Sequence, residues 1–150
     1  MKKGISVLLC LCFLLTVIGM PAFATEQPKK LVSVEYLEDG SYFVIEITQD
    51  MPRGRDYSTS GTKTGTYYNS SGALIWKLTV RGSFSYNPGV SAKATSASAT
   101  VAIADSSAKF VSKNAWTSGA SAYGYAQVKY GSVTQSKTVV LTCDKYGNLS

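Results

Sequence analysis

The chain has 150 residues, 45% of them hydrophobic, a formal net charge of +6, three cysteines and no histidine. The length suits one domain with one core. The missing histidine excludes Ser-His-Asp and Cys-His nucleophile systems in their usual forms, and with them any histidine-bearing zinc site.

Lys2 and Lys3 precede an apolar run from Ile5 to Ile18. Gly19 and Pro21 break the run, and Ala22-Phe23-Ala24 sets small residues at the two positions a signal peptidase reads. This three-part layout predicts a secretory signal peptide helix over 1–24, cleaved after Ala24. The run is too short for a span of about 20 apolar residues, so an anchored N-terminus is the weaker alternative. Cys10 and Cys12 each follow a leucine inside the run, which does not fit lipoprotein processing. The product Thr25–Ser150 is expected to be secreted, with no membrane segment after cleavage. Its ending, Asn148-Leu149-Ser150, carries no wall-sorting pattern, so release is expected over attachment.

Removing the leader takes two lysines and two cysteines. The remaining basic residues are scattered, Lys63, Lys77, Arg81, Lys93, Lys109, Lys113 and Lys129 among them, with no run to track phosphates. Nucleic acid is therefore not an expected partner. Cys143 is left alone. It reads as a small buried side chain near the end of the last strand, the alternative being a disulfide to a second chain.

Residues 25–30 read as a polar linker and 31–150 as the folded domain. Asp39-Gly40 predicts a two-residue hairpin turn that pairs Tyr36 with Phe43, Val34 with Ile45 and Val32 with Ile47. Those apolar residues then share one face, and Glu35, Tyr42, Val44 and Glu46 share the other. Gln49 to Gly61 reads as a loop with Pro52, Arg53, Gly54 and Arg55. Thr62–Tyr68 is a candidate strand, turned by Asn69-Ser70-Ser71-Gly72.

Leu74 to Tyr86 alternates with period two and is the strongest strand signal. Gly82 is the gap on its apolar side, marking a bulge, a bend or a space filled by a neighbour. Asn87-Pro88-Gly89 ends that strand. Ser91–Ala104 is almost all Ala, Ser, Thr and Val, with strand character at Thr100–Ile103, and its small side chains let a facing sheet come close. Phe110 to Trp116 is a weaker strand. Gly131-Ser132 predicts a turn that pairs Tyr130 with Val133, Gly124 with Val139 and Ala122 with Leu141. Tyr68–Leu74 and Cys143–Leu149 share an apolar–Asn/Asp–x–x–Gly–x–Leu pattern, read as common turn chemistry.

With turn signals about every ten residues and no helical period after the leader, the fold class is all-β: a single antiparallel β-sandwich, Ig-like or related. Two constellations could carry function. Tyr123, Tyr125, Gln127 and Lys129 fall on one strand face and suit stacking of sugar rings or a protein partner. Glu35 and Glu46 would be diagonal neighbours, ~7–8 Å apart by backbone, which overlaps the carboxylate spacing of inverting glycosidases. Two solvated carboxylates are the plainer reading of that pair. No metal or cofactor site is indicated, and the weak calcium signal in Asp144–Asn148 has too few oxygen ligands.

From Tyr68 onward the chain resembles a family of small secreted proteins of Gram-positive gut bacteria. The matching pieces are Tyr68, Gly72 and Leu74-Ile75-Trp76, then Val80-Arg81-Gly82-Ser83-Phe84-Ser85-Tyr86-Asn87. Val140-Leu141-Thr142-Cys143-Asp144 and Gly147-Asn148-Leu149-Ser150 complete them. The family is a domain of unknown function, so the resemblance implies a secreted all-β domain and no site residues. The expectation is a non-enzymatic extracellular module that binds a glycan, the cell wall or a protein surface. A secreted bacteriocin-like antagonist is the alternative, and a glycan hydrolase using Glu35 and Glu46 comes third.

Overall fold

The computed structural model describes residues 30–50 and 57–150. The expected signal peptide with Ala22 and Ala24, the expected linker up to residue 29 and the Arg53–Arg55 stretch lie outside the described residues. Eight strands follow in chain order: β1 (Lys30–Tyr36), β2 (Tyr42–Gln49), β3 (Ser58–Tyr68) and β4 (Leu74–Asn87), then β5 (Ser91–Ile103), β6 (Ala108–Ser118), β7 (Ser121–Tyr130) and β8 (Val133–Thr142). They build a five-stranded sheet ordered β1-β2-β3-β4-β5 and a three-stranded sheet ordered β6-β7-β8. Every pairing is antiparallel between chain neighbours, so each sheet is a run of hairpins and only the β5–β6 link changes sheet.

The two sheets pack face to face as a sandwich. Trp76, Leu78, Val80 and Phe84 of β4 meet Ala122, Ala126, Val128, Val139 and Leu141 of the small sheet, all buried. The alternation expected for Leu74 to Tyr86 gives this face, except that Leu74 is exposed and Ile75 buried where a bulge interrupts the β3–β4 register. The gap at Gly82 is filled by a neighbour. A Cβ there would lie 2.8 Å from the Phe84 ring and 2.8 Å from Ala122 Cβ. Ala92, Ala94, Ala97 and Ala99 line the inner face of β5, so its low-complexity segment is a full strand whose small side chains admit the facing sheet.

Two look-alike turns share one mechanism. Asn69 Oδ1 accepts from the backbone N–H of Ser71 and Ala73, and Asp144 Oδ1 from those of Tyr146 and Asn148. The residue three places on is Gly72 or Gly147, at φ +81° and +84°, a conformation glycine adopts without a Cβ clash.

The first hairpin differs from expectation by one residue. Tyr36 pairs with Tyr42, Val34 with Val44 and Glu35 with Phe43. The turn is a three-residue loop, Glu38–Gly40, closed by Leu37 N–H to Ser41 O at 2.8 Å and Gly40 N–H to Leu37 O at 3.1 Å. Asp39 accepts from both the backbone and the hydroxyl of Ser41, which holds the extra residue in the loop. A one-residue slip moves every β1 side chain to the other face. Val32, Val34 and Tyr36 therefore face solvent, while Phe43, Ile45 and Ile47 of β2 stay in the core.

The last hairpin keeps the expected register throughout, Ala122 to Leu141, Gly124 to Val139 and Tyr130 to Val133. Its inward face is Ala122, Gly124, Ala126, Val128, Val139 and Leu141. The small sheet packs mainly on β3, β4 and β5. The inner faces of β1 and β2 thus reach past the edge strand β8, and Lys137 fills part of that overhang.

Candidate functional site

β7 positions the main candidate surface. Its even-numbered residues from Ala122 to Val128 are buried, so Tyr123, Tyr125, Gln127 and Lys129 point outward. The structure keeps all four on one face, as alternation requires. Gly124 sits beneath them, where a Cβ would lie 2.2 Å from Val80 Cγ2. The absent side chain lets the sheets close between the two tyrosines.

The neighbouring strands complete the surface. Trp116 is directly opposite Tyr123, Asn114 opposite Tyr125, Ser112 opposite Gln127 and Lys109 opposite Lys129. The Trp116 and Tyr123 rings stack, with centroids 5.1 Å apart and planes 6° apart. Trp116 is 41% exposed although tryptophan is the bulkiest aromatic side chain. Ser112 Oγ donates to Gln127 Oε1 at 3.1 Å. Thr138 and Ser136 of β8 flank Tyr125 and Gln127 on the other side.

Lys109 and Lys129 are both exposed and face each other across the strands. Like charges directly opposite in a sheet repel, so this pair is a standing attraction for an anion. Tyr123 and Lys129 are six residues apart, or ~20 Å at strand rise, so the row spans several sugar rings. Its layout is an aromatic end, an amide and hydroxyl middle and a cationic end.

Trp116, Asn114 and Lys109 were not among the residues expected here. β6 was legible as a strand, but a bulge between Phe110 and Ser112 shifts its register. Simple alternation puts Lys109 and Trp116 on opposite faces, and the extra residue at Val111 brings them together.

A second aromatic row crosses the outer face of the large sheet. Tyr36, Tyr42 and Tyr68 stand side by side on β1, β2 and β3, with centroids 5.6 Å and 5.1 Å apart. Tyr36 is 77% exposed, and Val32 and Val34 beside it are exposed too. The slipped register of the first hairpin hid this row, because it placed Tyr36 in the core.

The paired carboxylates do not meet. Glu35 lies opposite Phe43 and Glu46 opposite Val32, which puts them on opposite faces of the large sheet. Glu35 instead ion-pairs with Lys137. No two-carboxylate site for glycoside hydrolysis exists at this pair. Among the described residues no three Cys, Asp or Glu side chains gather to hold a metal ion. Asp144 spends its oxygens on its own turn, accepting from Asn148 Nδ2 at 2.9 Å as well as from the backbone. Those bonds, that of the Asn148 side chain first, hold its carboxyl below the ordinary aspartate value.

Cys143 is free and buried, with its thiol donating to Asp144 O at 3.3 Å. Burial, with the Asp144 charge adding, pushes the thiol up to about 11. It is a core side chain.

Compared with protein-family models, curated proteins and solved structures, the chain finds no match.

Proposed function

We propose that this protein is a non-enzymatic, secreted binding module whose outer β6-β7-β8 face takes an anionic glycan, such as an acidic wall polysaccharide. One observation carries the reading: the exposed Trp116–Tyr123 stack continues through Tyr125 and Gln127 to the facing Lys109–Lys129 pair. Aromatic faces pack against the C–H faces of sugars, amide and hydroxyl groups bond their hydroxyls, and the two ammonium groups select a carboxylate or phosphate. A sheet face holds these groups in a fixed row without needing a deep pocket.

The test is retention on a glycan array and on purified cell walls. Trp116→Ala and Tyr125→Ala should each weaken retention by about two- to tenfold, in line with ~0.5–1.5 kcal/mol per aromatic contact. The double change Lys109→Gln, Lys129→Gln should remove the preference for acidic over neutral glycans. Retention unaffected by Trp116→Ala, or no retention at all, would sink the glycan reading.

A protein-binding module is the second reading, favoured by the Tyr36–Tyr42–Tyr68 row and its exposed valines. Exposed apolar rows of this kind suit a protein surface better than a sugar. Tyr36→Ser should leave glycan retention unchanged and abolish capture of a protein partner.

A further inference from the structure

Thr142 N–H donates to Ser150 O, and Ser150 N–H donates back to Thr142 O, both at 2.9 Å. The C-terminal residue is therefore the first rung of a fourth strand beside β8. Leu149 seats this tail, since its N–H donates to Gln49 Oε1 at 3.1 Å and its side chain lies where a Gly61 Cβ would be. The same rung fixes which backbone groups of β8 point away from β7. In an antiparallel ladder they alternate, so the N–H and C=O of Val140, Thr138 and Ser136 face outward as those of Thr142 do. No described strand pairs with that stretch.

Below this edge lies the overhang of the large sheet. A cleft of about 220 Å³ runs there, with Glu35, Ile45 and Lys63 on the large-sheet side and Lys137, Thr138 and Val140 on the β8 side. Sheets in a sandwich stand ~10 Å apart, so a strand added to β8 would have the inner faces of β1 and β2 as its floor. The charges in the cleft do not cancel. Glu35 is paired with Lys137, and Lys63 is a second cation with no hydrogen-bond partner among the described residues. Burial pulls the Lys63 amine below its ordinary value, with Glu35 opposing and Lys137 adding to the shift. An added carboxylate would balance the site.

We propose that this groove captures an extended peptide segment of a partner protein, which adds to β8 as a fourth strand and sets an acidic side chain against Lys63. Main-chain bonds to Val140, Thr138 and Ser136 would give affinity, and the Lys63 cation would give specificity. Direct pairing of two copies through β8 does not fit. The second copy's large sheet would have to occupy the space already taken by the β1–β2 overhang. A single strand meets no such obstruction.

The probe is a synthetic heptapeptide, acetyl-Val-Thr-Val-Glu-Val-Thr-Val-amide, with a control in which Lys replaces Glu. On the purified protein the acidic peptide should slow amide exchange at Val140, Thr138 and Ser136, and should bind at least ~10-fold tighter than the control. Lys63→Glu should reverse that preference. Thr138→Pro should abolish binding of both peptides while the protein stays folded, because it removes an outward N–H and leaves the β7 pairing intact. Equal binding of the two peptides, or binding that survives Thr138→Pro, would overturn the proposal. So would slow exchange at the three amides without peptide, since the edge would then already be covered by this chain or a second copy.

Discussion

Gly124→Ala tests how closely the two sheets approach beneath the aromatic face. The added methyl would lie 2.2 Å from Val80 Cγ2 and 3.3 Å from Ala99 Cβ. Val80 is fully buried and paired with Ala99, so neither it nor the backbone can swing away freely. Overpacking a core costs ~1–3 kcal/mol, and a 2.2 Å contact belongs at the upper end. Alanine regains ~0.5 kcal/mol of strand preference over glycine, which leaves a net loss of about 2 kcal/mol. Urea unfolding should show this as a lower midpoint with an unchanged slope. Val80→Ala alone should cost ~2 kcal/mol through the cavity it leaves. In the double variant the methyl added at Gly124 fills part of that cavity, so the loss should fall short of the sum by at least ~1 kcal/mol. A neutral Gly124→Ala, or strictly additive losses, would show that the sheets do not meet at this residue.

Gln49→Ala removes the clamp on the C-terminal tail, where Nε2 donates to Gly147 O at 2.7 Å and to Thr59 Oγ1 at 3.1 Å. It should cost about 1–3 kcal/mol and speed amide exchange at Leu149. The tail should also loosen in acid. The depressed Asp144 carboxyl contributes stability that is present above its ordinary value of 3.8 and is lost as pH falls through the lower folded value. The protection of the Asn148 amide, taken relative to its intrinsic exchange rate, should therefore fall at low pH, and Asp144→Ala should already lack it at neutral pH. The buried thiol acts at the other extreme. Raised from 9.0 to about 11, it contributes stability that is full below pH 9 and is lost as pH rises through 11. Cys143→Ala should flatten that alkaline decline in an unfolding series. If native Cys143 reacts with a thiol reagent as fast as in the unfolded chain, its burial is wrong.

Much of this fold is written in local chemistry. The β7–β8 register follows from Gly131-Ser132, and the face of β4 from the alternation of Trp76, Leu78, Val80 and Phe84. The Asn69 and Asp144 turns follow from side chains that bond their own backbone. What escaped is what one extra residue decides. Asp39-Gly40 fits a two-residue turn as well as a three-residue one, and the choice rests on Asp39 bonding to Ser41 and on the β2–β3 pairing that buries Phe43 and Ile45. The bulge at Val111 likewise has no proline or glycine to announce it. Both events re-aim aromatic or charged side chains. The surface was therefore less legible than the core: Tyr123 to Lys129 could be read from one strand, while Trp116, Lys109 and the Tyr36 row needed two.

The five-against-three strand count leaves an edge that many proteins would guard, and an inward-pointing lysine is one known guard. Lys137 fits that description by position, with its amine 4.6 Å from the Phe43 ring centroid. Its charge, however, is already neutralised by Glu35, and a paired cation deters an incoming strand less than a bare one. The unbalanced charge is Lys63, on the floor of the groove, where it repels cationic strands and admits acidic ones. The two roles separate in Lys137→Met. A guard, once removed, should let a strand of either charge add to β8, so the Lys control peptide should then bind as tightly as the acidic one. A groove whose selectivity rests on Lys63 should still reject the Lys control, with Glu35 then competing for Lys63 and the acidic peptide weakened. Tight binding of the Lys control by Lys137→Met, with unchanged affinity for the acidic peptide, would assign β8 to protection rather than capture.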